Sequence, residues 1–104
     1  MKNIFADIPE LLPEELIESL LDTGNLRIER IVSRGHTSPA EGWYDQDRNE
    51  WLLLLSGSAT LLFEDNTEVR LSQGDILDIP AHQKHRVTGT SPDKDTLWLA
   101  VHYS

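Results

Sequence analysis

The chain has 104 residues, no cysteine and a formal net charge of −9, with 38% hydrophobic and 26% charged residues. This length fits one soluble domain, and no stretch approaches the roughly 18 apolar residues of a membrane span. The acidic balance opposes binding to nucleic acid or anionic membrane surfaces. Without cysteine there is no disulfide, thiolate nucleophile or cysteine-type zinc site. Charges and Pro9 near the N-terminus do not fit a signal peptide, so we expect a cytoplasmic protein with neither nucleic-acid nor membrane partners.

Residues 1–25 carry a helical pattern. Pro13 suits a first helical residue, and the two glutamates that follow it suit the positive N-terminus of a helix. Apolar residues then recur at spacings of three and four up to Gly24, namely Leu12, Leu16, Ile17, Leu20 and Leu21. The pattern predicts one short amphipathic α-helix in a 1–25 extension that packs on the rest of the domain.

From residue 26 onward the pattern changes to short β-like segments separated by turn residues. Seven strands are predicted: Leu26–Ser33, Trp51–Leu55, Ala59–Glu64, Glu68–Leu71, Ile76–Ile79, His85–Thr88 and Thr96–Tyr103. Gly, Asn, Asp and Pro occupy the tight connections between them. The pattern indicates an all-β domain, an antiparallel sandwich or barrel, over residues 26–104.

The one long irregular stretch runs from Arg34 to Asn49. Loops of this length in small domains usually carry function. This one holds Trp43 and Tyr44, whose rigid rings are suited to line a pocket, although core or interface packing explains them equally well. His36 in the same loop is a weaker pocket candidate, since a solvated histidine is the simpler interpretation.

Two runs of sequence carry a family resemblance. In the first, Glu50 heads four consecutive leucines and Gly57 ends the run; in the second, Gly74, Pro80 and His85 follow one another at fixed spacings. These spacings resemble the two motifs of the cupin superfamily, G-x5-H-x-H-x3,4-E-x6-G and G-x5-P-x-G-x2-H-x3-N. The resemblance covers roughly residues 35–89 and implies an antiparallel jelly-roll β-barrel typical of small single-domain cupins.

The resemblance also implies a metal site, because cupins typically hold a divalent metal through the histidines and the glutamate of these motifs. Only Glu50 and His85 carry over directly. The paired histidines of the first motif are replaced by Tyr44 and Gln46 or, in the other register, by Trp43 and Asp45. We expect Asp45 to add an oxygen ligand, with His82, which replaces the motif glycine, as a further candidate and Gln46 as a weaker one. Mn²⁺, Fe²⁺, Ni²⁺ and Zn²⁺ all suit such donors.

For function, the sequence leaves several alternatives open. The leading hypothesis is a small cupin that binds a divalent metal and a small molecule inside the barrel. Whether it is an enzyme is left open, and the resemblance implies dioxygenase, isomerase or lyase activity if it is one. The alternatives are a metal-free binding or sensing module and a barrel that serves only dimerisation. His102 alternates with Trp98 and Ala100 on the last strand, so it is a pocket candidate or a satisfied interior histidine. Open sheet edges favour a homodimer.

Overall fold

The computed structural model describes residues 1–104 and contains eight β-strands and no helix. The strands are β1 (Leu16–Asp22), β2 (Leu26–Ser33), β3 (Asn49–Ser56), β4 (Ser58–Phe63), β5 (Glu68–Ser72), β6 (Ile76–Ile79), β7 (His85–Thr90) and β8 (Thr96–Tyr103). The seven strands predicted after residue 25 are all present. The all-β prediction is therefore confirmed for residues 26–104.

The strands form two antiparallel sheets. Five strands pair in the order β1-β2-β8-β3-β6, and three pair in the order β5-β4-β7. Neighbours such as β2 and β8 are far apart in sequence, so the chain crosses between the sheets repeatedly, as in a jelly roll. The two sheets enclose one interior.

The interior is apolar where the sheets approach each other. Along β3 burial alternates, with Leu52 and Leu54 buried and their neighbours partly exposed, as expected when one face of a strand meets the core. Glu50 lies on the same inward face as these leucines. The core cluster comprises Leu52, Leu54, Ala59, Leu61, Phe63, Leu71, Ile79, Trp98 and Ala100. The carboxylate at the head of β3 therefore points to the interior side of the sheet.

The predicted N-terminal helix is wrong, because the same residues form the edge strand β1. This strand pairs with β2 from Leu16↔Val32 to Asp22↔Arg27, and the register shifts between Ser19 and Leu21. The extra residue of this β-bulge breaks the strict alternation of a strand. The apolar spacing of three and four in this segment thus arises from a bulged strand as readily as from a helix.

Residues 4–10 are held against the barrel by two arginines. Arg30, with 5% of its surface exposed, donates hydrogen bonds to the carbonyl oxygens of Ile4 (3.1 Å) and Ala6 (2.5 Å). Arg34 donates to the carbonyl oxygen of Glu10 at 2.8 Å. Side-chain donors thus fix the path of the N-terminal segment toward β1.

Gly57 shows why the first motif ends in glycine. Its φ is +88°, a left-handed conformation that favours glycine, and a Cβ atom there would lie 2.6 Å from the Cα of Thr96 and 2.9 Å from the carbonyl oxygen of Asp95. The turn between β3 and β4 therefore approaches the start of β8 too closely for any side chain.

The five-stranded sheet ends in β1 on one side, and Ile17, Leu20 and Leu21 of this strand are exposed. Exposed apolar residues on an edge strand are typical of surfaces that pair with another chain. The homodimer stays a prediction, which sedimentation measurements can test. No helix long and apolar enough to cross a membrane occurs in the chain.

Candidate functional site

One cavity of about 780 Å³ opens between the two sheets. Its apolar wall comes from both sheets and includes Ile31, Leu52, Leu61, Val87 and Trp98. Glu50, His85 and His102 lie in the same wall. Ionisable side chains beside so much apolar surface are unusual, because desolvation disfavours their charged forms unless partners compensate.

Glu50 and His102 are brought together by the register of neighbouring strands. They are direct Cα partners in the β3–β8 pair, and 7% of Glu50 and 5% of His102 are exposed. Nε2 of His102 lies 3.7 Å from Oε2 of Glu50. Both side chains therefore occupy the interior face of the five-stranded sheet at one level.

His85 reaches the same point from the opposite sheet. It is the first residue of β7, only 4% of it is exposed, and its Nε2 lies 3.6 Å from Oε1 of Glu50. Its Nδ1 lies 3.0 Å from the carbonyl oxygen of Gln83, which can only accept, so Nδ1 carries a proton. The rings of Tyr44 and Phe63 flank the imidazole at centroid distances of 5.7 and 6.1 Å. Nε2 is thus the nitrogen that faces Glu50 and the cavity.

The pKa of His85 is raised above its ordinary value. Burial by itself lowers this pKa, but the Glu50 carboxylate and the Gln83 carbonyl both favour the protonated ring and outweigh burial. A buried histidine whose pKa is raised by a neighbouring carboxylate can donate a proton and recover it. This arrangement is typical of acid–base sites.

Glu29 on β2 is a site residue that the sequence analysis missed. Its Oε1 lies 2.8 Å from Nε2 of His102, and its Oε2 lies 3.4 Å from Nε of Arg27. Arg27, Glu29, His102, Glu50 and His85 therefore form a continuous row in which carboxylates alternate with basic groups. The only sequence signal is the two-residue spacing of Arg27, Glu29 and Ile31, which places all three on one face of β2.

The loop before β3 adopts the register in which Tyr44 and Gln46 line the cavity. Tyr44 also forms an isolated β-bridge with His85, in which its amide donates to the His85 carbonyl at 2.8 Å. Trp43 and Asp45 do not line the cavity. The Arg86 guanidinium instead lies over the Trp43 ring, with its central carbon 5.7 Å from the ring centroid.

The side chains predicted as metal ligands fall into two groups. Glu50 and His85 face each other in the cavity, whereas His82 and Asp45 pair with each other outside it, with Nδ1 and Oδ1 2.8 Å apart. No group of three or more His, Asp or Glu side chains in residues 1–104 is arranged to hold a metal ion. The donors as placed do not fit a preformed metal centre, and metal binding stays a prediction.

His36, the weaker pocket candidate, also lines the cavity. Its Nδ1 accepts a hydrogen bond from the Arg34 amide at 2.8 Å, and its Nε2 lies 3.2 Å from the Pro13 carbonyl. Both ring nitrogens are thus used within the chain, so this histidine fixes the N-terminal segment beside the cavity.

Comparisons with known proteins agree with this architecture. The structure is similar to that of a Ralstonia eutropha protein named "putative mannose-6-phosphate isomerase", with a TM-score of 0.94 and 43% identity over 100% of this chain and 97% of that one. A cupin superfamily protein from Desulfitobacterium hafniense has a TM-score of 0.76 and 18% identity over 92% and 83% of the two chains. An RmlC-like cupin family protein with a double-stranded β-helix fold, from Methanocaldococcus jannaschii, has a TM-score of 0.72 and 20% identity over 93% and 86%.

Among curated protein sequences none matches this chain. The family model for the cupin domain matches residues 31–102, which span β2 to β8 and include both motif runs and His102. The fold, the two motif runs and this match confirm the resemblance seen in the sequence, and the chain belongs to the cupin superfamily.

Proposed function

We propose that this protein binds a sugar or a similar small polyhydroxy carbonyl compound in its cavity and catalyses isomerisation by proton transfer. The observation that carries the proposal is the buried contact of Glu50 with His85 and His102, at 3.6 and 3.7 Å, in the wall of a cavity of about 780 Å³. The name of the Ralstonia eutropha protein adds support for an isomerase.

The chemistry needs one base and one acid that both reach the ligand. In the conversion of an aldose to a ketose, a base removes the proton from C2, and the electron pair forms a C1–C2 double bond while the carbonyl oxygen takes a proton. Return of a proton to C1, with loss of the proton from O2, gives the ketose. Atoms and charge balance without an oxidant or reductant.

Glu50 and His85 suit these two roles. When it is protonated, the His85 ring, with Nδ1–H held by the Gln83 carbonyl, presents Nε2–H to the cavity as the acid for the carbonyl oxygen, and the raised pKa of His85 favours this form. The neighbouring Glu50 carboxylate is the base for the carbon-bound proton. Both side chains are buried beside apolar residues, which strengthens electrostatic interactions between them.

Exchange of the C2 proton with solvent tests the proposal directly. The protein is incubated in D2O with mannose, fructose or mannose 6-phosphate. Proton NMR follows appearance of the isomer and loss of the exchanging proton, which is on C2 in mannose and mannose 6-phosphate and on C1 in fructose. We expect exchange with the wild type and a rate lower by about 10²- to 10⁴-fold in Glu50→Gln and His85→Asn.

His82→Asn is the matched control, because it makes the same substitution three residues away, outside the cavity. Asparagine also tolerates the left-handed backbone that His82 adopts, with φ of 64°. The control should keep the wild-type exchange rate. Absence of exchange and of binding with all three sugars would reject the proposed function.

Metal binding by Glu50 and His85 stays a separate prediction, because no third donor is arranged with them to hold a metal ion. Elemental analysis of protein purified without chelator tests it, with Glu50→Ala and His85→Ala as comparisons. Stoichiometric Mn, Fe, Ni or Zn that disappears in both variants would support it. Binding of a sugar with no C2 exchange would instead favour a module that only senses its ligand.

A further inference from the structure

Arg27 lines the cavity with a guanidinium group that lacks a hydrogen-bond partner at one nitrogen. Its Nε is buried and donates no hydrogen bond within the chain. Oε2 of Glu29 faces this nitrogen at 3.4 Å, which is longer than the roughly 2.7–3.2 Å of an N–H···O hydrogen bond. The other oxygen of Glu29 is held by His102 at 2.8 Å. Buried N–H groups without an acceptor are rare in folded proteins, so this one points to an acceptor from outside the chain.

Arg30 on the same strand shows the contrast. It lies three residues further along β2, on the opposite face, and is 5% exposed. Its nitrogens nevertheless donate to the Glu18 carboxylate and to the carbonyl oxygens of Ile4 and Ala6. The chain thus supplies acceptors to the arginine that holds its N-terminal segment and supplies none to Nε of Arg27. The Arg27 side chain as a whole is 42% exposed, so a ligand in the cavity can reach it.

The strand register places Arg27 at one end of the row of ionisable groups and the acid–base pair at the other. Arg27 is the Cα partner of His102, and His102 is the Cα partner of Glu50. Direct partners in antiparallel strands share one face of the sheet, so Arg27 and Glu50 are two strand spacings apart, about 10 Å. His85 lies beyond Glu50. A hexose with C1 and C2 at Glu50 and His85 can therefore point its far end, C6, toward Arg27.

Arg48 adds a second guanidinium at the same end of the sheet. It lines the cavity two residues before Glu50, and its Nη2 donates to the carbonyl oxygen of Gly24 at 3.0 Å. Gly24 lies in the turn between β1 and β2, so the Arg48 side chain reaches across β8 toward the strand that carries Arg27. Planar guanidinium groups match the oxygens of a phosphate or a carboxylate through paired N–H bonds.

We infer that Arg27, assisted by Arg48, binds an anionic group, a phosphate or a carboxylate, carried at C6 of the sugar. This inference rests on the proposed function, since it takes the same cavity as the sugar site. Rotation of the exposed end of the Arg27 side chain presents Nε and one Nη side by side to the anion, and Nε–H then gains an acceptor. The affinity comes from this direct contact, because the net charge of −9 on the chain opposes long-range attraction of an anion.

Three ligands that differ only at C6 test the inference: mannose, mannuronate and mannose 6-phosphate. Their dissociation constants are measured by calorimetry or NMR titration, with inorganic phosphate as a fourth probe. We expect the anionic sugars to bind roughly tenfold to hundredfold more tightly than mannose, as is typical of hydrogen bonds to a charged group. An advantage confined to one of them supports the inference and identifies phosphate or carboxylate as the group that is bound.

Variants of Arg27 assign the effect to this side chain. Arg27→Gln should bring the affinity for the anionic sugars to within about threefold of that for mannose. Arg27→Lys keeps the charge without the guanidinium fork and should recover only part of the advantage. Arg70→Gln is the matched control, because it makes the same substitution at an exposed arginine outside the cavity lining, and it should keep the wild-type affinities. Thermal unfolding of each variant checks that it is folded.

The outcomes separate this inference from the proposed function. If the anionic sugars bind no more tightly than mannose, or if Arg27→Gln keeps their advantage, the anion site is wrong, while C2 exchange with mannose still supports the isomerase. If inorganic phosphate binds as tightly as mannose 6-phosphate, the arginines hold an adventitious ion only and the inference is overturned. Tight binding that depends on Arg27 without any exchange would support the anion site and reject the isomerase. If none of the probes binds, both are rejected.

Discussion

Two histidine–carboxylate pairs lie close together in the sequence of this protein and differ in burial more than in distance. His82 and Asp45 are 2.8 Å apart, and their side chains are 64% and 42% exposed. His85 and Glu50 are 3.6 Å apart, but only 6% and 10% of their side chains are exposed. The shorter contact is the exposed one, where water screens the interaction and a pair is worth less than about 1 kcal/mol.

The buried pair differs because two sheets enclose it. Glu50 comes from the five-stranded sheet and His85 from the three-stranded sheet, and the apolar cavity wall surrounds both. His82 belongs to the turn before β7, where its left-handed backbone directs the chain back into the sheet. The His85–Glu50 pair is suited to acid–base chemistry because it is buried between the sheets, although its contact distance is the longer of the two.

The largest expected effect is that of Glu50→Gln, which removes the buried charge while nearly keeping the shape. We expect C2 exchange to fall by about 10²- to 10⁴-fold. The pKa of His85 should also fall, because burial then acts without the opposing carboxylate. NMR titration of the imidazole measures that pKa. Asp45→Asn removes the carboxylate of the exposed pair and should leave the pKa of His85 where it was. An unchanged His85 pKa in Glu50→Gln would show that Glu50 does not raise it.

The second prediction concerns stability against pH. The folded-state pKa of His85 is raised above the unfolded value of about 6.5, so protonation of this ring stabilises the folded protein. This contribution is complete below pH of about 6.5 and is lost as pH rises through the folded-state pKa. Urea unfolding at several pH values should show the decline in the wild type and its absence in His85→Asn.

Tyr44→Phe is the control for this pH dependence. It keeps the ring that flanks His85 and changes no group that titrates near neutrality. The pH dependence of its unfolding free energy should therefore match that of the wild type. A decline that persists unchanged in His85→Asn would assign the effect to another group.

The sequence predicted all four residues of the two histidine–carboxylate pairs, but it did not predict the whole fold correctly. The bounds of β2, β6 and β8 were correct, because alternating apolar residues end there at clear turn residues. The N-terminal helix was wrong because a bulge near Leu20 gives β1 a spacing that a helix shares. Only the pairing of β1 with β2 decides between the two, and the apolar spacing within β1 alone does not show that pairing.

For the candidate site, too, the sequence placed some residues correctly and misplaced or missed others. Glu50 and His85 were found because motif spacing places them, and His102 because it alternates with core residues on β8. Asp45 was predicted because one register of the first motif places it at a histidine position, and His82 because it replaces the motif glycine. Both lie outside the cavity lining in the structure, since the loop adopts the other register, which spacing left open. Glu29 gave no signal beyond its two-residue spacing with Arg27 and Ile31, because a single carboxylate on a strand of mixed polarity reaches the site only through the register of β2 with β8.

A smaller effect is expected for Glu29→Gln. Glu29 is a positioning residue, because it acts through His102, whose Nε2 it holds at 2.8 Å. We expect about tenfold slower exchange and a loss of about 1 kcal/mol of stability, which is typical for one hydrogen bond. Nitrogen-15 shifts of the His102 ring should change, while those of the His85 ring should not. Simultaneous changes in both rings would mean that the carboxylate supports the whole row and not His102 alone.

The smallest effect is expected for His82→Asn, the counterpart of His85→Asn in the exposed pair. Since the His82–Asp45 contact is open to water, its removal should change the free energy of unfolding by no more than about 0.5 kcal/mol. Exchange at C2 should keep the wild-type rate, because neither residue lines the cavity. Urea unfolding and the NMR exchange assay measure both quantities. If His82→Asn slows exchange as much as His85→Asn, the exposed pair takes part in the reaction and enclosure does not separate the two histidines.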